Sequence, residues 1–79
     1  MKMQVFVRLK NGVLDVQGKA VEKGLHDMGF GEVGNLRVGK LIEFEVEEKD
    51  SGKAKDRVKE MCEKLLANTV IESYEIKSQ

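Results

Sequence analysis

An α+β domain, with one antiparallel sheet and two helices on one of its faces, is the fold class that three features of the sequence predict. Met3, Val5, Val7 and Leu9 alternate with Gln4, Arg8 and Lys10. Ala54, Val58, Met61, Cys62, Leu65 and Leu66 recur at helical spacing, while Leu36, Val38, Ile42, Phe44 and Val46 all fall on even numbers. Strict alternation marks a strand with one buried face, and the helical period marks a helix with one apolar stripe.

The first strand runs to the Asn11–Gly12 turn signal. Phe6 breaks its polar face, and an aromatic there predicts that the second face is also covered, by another chain. Asp15 is a helix cap, and Val16, Ala20, Val21, Leu25 and Met28 form one stripe until Gly29 stops the helix. Gly18 and Gly24 lie inside this helix at about 1 kcal/mol each relative to Ala, which predicts close approach by a neighbouring backbone. In the central segment Asn35, Arg37, Glu43, Glu45 and Glu47 take the odd positions. A two-residue turn at Gly39 and Lys40 would set Leu36 against Glu43 and is disfavoured. Either a three-residue loop pairs Val38 with Ile42, or one long strand passes from one subunit into another. Asp50, Ser51 and Gly52 break the pattern ahead of the second helix, which Asn68 terminates. Val70, Ile71, Tyr74 and Ile76, alternating with Glu72 and Glu75, give the last strand. The order β-α-β-β-α-β is the split βαβ arrangement of ferredoxin-like type, and residues 1–79 form a single domain without proline or internal repeat.

Seventy-nine residues make a thin core. Area scaling gives a folded surface of roughly 4,800 Å² against roughly 12,900 Å² unfolded, so oligomerisation is expected. Fourteen basic and fourteen acidic side chains cancel, which argues against tracking a nucleic-acid backbone or an anionic membrane. One cysteine forms no internal disulfide, and with no leader or long apolar run the expectation is a soluble, cytoplasmic protein.

Residues 29–34 match G-x-G-x-x-G, but a dinucleotide loop needs a strand before it and a helix after it, and here the order is reversed. Cys62 lies on the apolar stripe without a partner base, and His26 stands beside Asp27 with no nucleophile near it. Both read as structural. One His and one Cys cannot build a zinc site, and Glu43, Glu45, Glu47 and Glu48 have strand spacing rather than that of a calcium loop. Phe44 shares parity with Ile42 and Val46 among carboxylates, unlike the basic aromatic platform of an RNA-binding sheet.

Three stretches carry a resemblance: Leu14-Asp15-Val16-Gln17-Gly18, Arg37-Val38-Gly39-Lys40, and the run MCEKLLANTVIESY from Met61 to Tyr74. Together with the chain length they resemble the PurS family, the small subunit of phosphoribosylformylglycinamidine synthase in purine biosynthesis, over nearly the whole chain. Val16 departs from the proline usual in that family's Asp-Pro-Gln-Gly pattern, where it would occupy the first helical position. The resemblance implies a ferredoxin-like unit built by exchange of segments between two chains, with the two central strands continuous. It implies partnership with itself, as dimer or tetramer, with a PurL-type synthetase that holds ATP and magnesium, and with a PurQ-type glutaminase. No cofactor is expected on this chain, and no catalytic residue. Phe6, Arg37, Gly39, Lys40, Asn68, Thr69 and Tyr74 are the candidate interface residues, each with a local structural role as the competing reading. An ACT-like small-molecule regulatory module is the alternative.

Overall fold

The structure, a computed structural model, describes residues 1–78. Strand β1 (Lys2–Leu9) is the centre of the sheet, flanked by β2 (Gly39–Glu45) and β3 (Glu72–Ser78), both antiparallel to it, in the order β2-β1-β3. Its alternation holds as read: Met3, Val5 and Val7 are fully buried, and Val5 sits between Ile42 and Ile76 in the ladder. Helix α2 (Ser51–Met61) lays Ala54 and Val58 on this face, and the segment that follows adds Cys62 and Ala67. Ile42, Phe44, Tyr74 and Ile76 close the flanks.

Helix α1 (Val16–Asp27) begins and ends where the sequence places it. Asp15 caps it by accepting from Gly18 N, and Gly29 takes a positive φ of 99° just beyond the end. Its stripe has no home, however: Val16 is 70% exposed and Met28 76%. The helix packed on the sheet is α2 and not α1, so the expectation of two helices on one face of the same sheet is met by one. The molecule measures 48 × 25 × 14 Å with a radius of gyration of 15.8 Å, where a compact domain of this length has about 12 Å. Its surface of 5892 Å² exceeds the usual value for its mass by about 1,100 Å².

The central segment is corrected in detail. Residues 33–38 belong to no ladder, and β2 starts at Gly39, so the three-residue hairpin is not formed and the sheet has three strands among the described residues. The reason is reach. Arg8 opposite Gly39 is the last β1–β2 pair, and the carbonyls of Leu9 and Lys10 beyond it accept from Arg37 Nη2 at 3.3 and 3.4 Å. A strand over 36–38 therefore finds no partner in its own chain.

Two further boundaries move. The second helix passes into a π-helical turn at Cys62–Leu66, where Ala67 N donates to Cys62 O across five residues. That wider turn rotates Leu65 off the stripe to 84% exposure and brings Ala67 inside instead. Val70 and Ile71 are not strand residues, because Asn68 organises a turn: its carbonyl accepts from Ile71 N and Glu72 N, and its side chain from Val70 N. Asn68 is thus a turn former, one residue past the end of the helical chain.

Candidate functional site

The buried face of the sheet is covered at one end and open at the other. Beyond α2, Val7, Leu9, Val38, Leu14 and Val16 line a groove of about 320 Å³ with Lys40, Asp15 and Glu72 at its polar positions. Register explains Lys40: it pairs with Val7, so it projects on the same face as Ile42. An apolar floor with a few charged groups at its rim suits an amphipathic helix or strand better than a small polar substrate.

Asp15 holds this end together. One carboxylate oxygen accepts from Gly18 N at 2.7 Å and the other from Val38 N at 2.7 Å, so the cap of α1 also grips the approach to β2. These two amides, Val38 first, hold its carboxyl below the ordinary 3.8 against the opposing effect of burial. Glu22, farther along α1, accepts from Leu36 N at 3.0 Å. Alternate amides of the extended segment are thereby satisfied by carboxylates of α1, in place of a strand neighbour. Gly18 is required here, since a Cβ would lie 2.6 Å from Asp15 Oδ2 and 3.0 Å from the Leu36 carbonyl; Gly24 meets nothing within 4 Å. The expected close approach is real at the first glycine and missing at the second.

The candidate interface residues fall into three places. Phe6 lies on the outer face of the sheet, half-buried, with Lys77 Nζ 5.1 Å from its ring centroid. Arg37, Gly39 and Lys40 sit at the groove: Arg37 is bonded to the end of β1, and a Cβ at Gly39 would come 2.7 Å from the Val7 carbonyl, so close strand approach dictates that glycine. Asn68 and Thr69 form the turn into β3, and Tyr74 donates to Glu63 Oε1 at 3.0 Å, tying β3 to the π-helical turn. Desolvation, followed by the Glu63 carboxylate, raises the Tyr74 pKa. Leu14, Val16 and Glu22 were not singled out by sequence reasoning as interface residues. The available signal was Leu14, an apolar residue directly ahead of a capping Asp.

His26 is exposed and bonds the Val33 carbonyl through Nε2 at 2.6 Å. Cys62 is fully buried, and desolvation pushes its thiol upward, with Glu63 adding to the effect. Nothing here activates a nucleophile. Residues 29–34 follow a helix and lead into irregular chain, which places them in a turn rather than a phosphate loop. Among the described residues no group of three or more His, Cys, Asp or Glu is placed to hold a metal, and no helix is long and apolar enough to cross a membrane.

A small α+β sheet with one helix unseated and an open apolar end defines a protein of the associating class, a subunit whose chemistry is contact. Known proteins agree. Residues 2–79 match the family described as PurS: Phosphoribosylformylglycinamidine (FGAM) synthase. The PurS subunit of Bacillus subtilis is 53% identical over 73 residues, 92% of this chain and 86% of that protein. The crystal structure of Methanocaldococcus jannaschii PurS, described as one of the subunits of formylglycinamide ribonucleotide amidotransferase in the purine biosynthetic pathway, superposes with a TM-score of 0.86 at 42% identity, covering 96% of this chain and 92% of that one. A chain in the structure of PurLQS from Thermotoga maritima gives a TM-score of 0.90 at 37% identity, covering 99% and 95%. The chain belongs to the PurS family, whose members are subunits of FGAM synthase in purine biosynthesis, and its sheet and helices are those of the ferredoxin-like unit expected for it.

Proposed function

We propose that this chain is a paired, non-catalytic adapter that docks a PurQ-type glutaminase on a PurL-type synthetase and supports ammonia transfer between them. The assembly would convert formylglycinamide ribonucleotide, glutamine, ATP and water to formylglycinamidine ribonucleotide, glutamate, ADP and phosphate in the cytoplasm. ATP and magnesium belong to the large partner in this reading. The observation that carries it is the likeness to a chain of the Thermotoga maritima PurLQS structure over 99% of this one.

Pairing with a second copy is the physical half of the proposal. The α1 stripe, the groove at the end of the sheet and the free edge of β2 are three unsatisfied surfaces on one chain. A copy related by a two-fold axis supplies all three at once, by exchanging α1 and the extended segment 35–38. The excess surface of about 1,100 Å² per chain is in the range that stable homodimers bury per partner. Adapter function follows from that paired platform: a closed contact between the two enzymes keeps ammonia from escaping or being protonated before amidination.

Reconstitution with the large and glutaminase subunits tests the reading. Glutamine-dependent synthesis should fall severely without this chain while ammonia-dependent synthesis persists; equal rates with and without it, from glutamine, would refute the adapter role.

A further inference from the structure

Pairing through α1 uses the helix-bearing face of the sheet and the edge of β2, and it leaves the other face bare. That outer face carries Lys2, Gln4, Phe6 and Arg8 from β1, and Gly39, Leu41, Glu43 and Glu45 from β2. Phe6 and Leu41 are direct cross-strand neighbours, and Leu41 is 46% exposed. An apolar pair in the middle of a charged sheet face is a contact without an occupant.

We propose that this face stacks on the same face of another copy, about a two-fold axis running along the strands between β1 and β2. The register makes the surface self-complementary. The rotation sets β1 over β2 of the second copy at the same level, so each cross-strand neighbour of the ladder becomes a facing pair. Phe6 meets Leu41 of the second copy, Lys2 meets Glu45, Gln4 meets Glu43, and Arg8 meets Gly39. Every facing step is apolar on apolar, opposite charges, amide on carboxylate, or charge on glycine, and each occurs twice. Moving the axis onto β1 destroys this: Lys2 would face Lys2 and Leu41 would face Glu75. Four central apolar side chains inside a polar rim have the layout of a specific interface, and the charges fix its register more than its strength. Lys77, resting over the Phe6 ring, lies on β3 outside the overlap and is a flexible cover that can swing aside. A second copy is favoured over an unrelated subunit because an unrelated surface would not require this chain's charges to match their own mirror strand.

The inference depends on the sheet alone and is independent of the α1 pairing, so the two together give a four-copy assembly. Sedimentation equilibrium of the full chain should show four copies at high concentration. Leu41→Lys, an exposed site, should reduce this to two with an unchanged circular dichroism spectrum. Lys2→Glu and Glu45→Lys should each weaken four-copy formation at least tenfold, and the double variant should restore it. With α1 disabled by Val16→Asp and Met28→Asp, the outer-face pair should survive as two copies. A mass indifferent to Leu41→Lys, a double charge exchange no better than the single ones, or a chain that never exceeds two copies would overturn the proposal.

Discussion

Helices α1 and α2 start alike and end in different circumstances. Asp15 and Asp50 each cap the helix that follows by accepting from the amide three residues on. Each helix has an apolar stripe. Val58 of α2 is fully buried against Val5 and its neighbours, whereas Val16 of α1 is 70% exposed. Capping and periodicity form a helix; whether its stripe is covered depends on which sheet lies within reach of the connections. Here α2 lies over its own sheet, while α1 is held by Asp15 and Glu22 to an extended segment whose strand partner is missing from the chain.

Substitutions should separate the two helices. Val58→Asp places a charge in the filled core and should cost about 3–5 kcal/mol, enough to abolish folding of so small a domain; loss of the cooperative thermal transition would show it. The paired change Val16→Asp and Met28→Asp meets water in the single chain, so helical content should remain while the mass between copies falls. Unfolding of that variant along with dissociation would mean that α1 has no independent footing.

The two glycines of α1 sharpen the contrast within one helix. Gly18→Ala forces a Cβ against Asp15 and Leu36 and should destabilise by about 1–3 kcal/mol in chemical denaturation. Gly24→Ala meets open space and should stabilise by about 0.5–1 kcal/mol. Equal effects at the two sites would remove the case for a tight junction at the start of α1.

A smaller effect depends on pH. The Asp15 carboxyl is held below 3.8 by the Val38 and Gly18 amides, so on acidification the unfolded chain takes up this proton before the folded one. Its contribution is complete above about pH 4 and is lost as the pH falls through the lowered folded value. Asp15→Asn still caps but cannot titrate, and the stability gap between it and the natural chain should narrow below about pH 4.

Much of this was legible in the sequence because it is local. The alternation of Met3, Val5 and Val7, the caps at Asp15 and Asp50, and the even parity of Ile42, Phe44 and Val46 each survive as read. What was not legible depends on geometry between distant segments. Leu65 leaves the stripe through a π-helical turn that has no composition signature, and Val70 is drawn into a turn by the Asn68 side chain. Leu36 and Val38 keep strand parity without a strand, since parity reports which face a residue would occupy and is silent on whether a neighbour exists. At the site, Arg37, Gly39 and Lys40 were found through their segment, while Leu14 and Glu22 acquire their roles only when α1 lies against residues 36–38.

The account turns on a chain left unfinished until a copy of itself arrives, and dilution tests this most directly. Sedimentation equilibrium over a wide concentration range, followed with far-ultraviolet circular dichroism, should find at least two copies wherever the helical signal is intact. A folded single chain of 8.9 kDa that keeps its full helical signal at high dilution would contradict it.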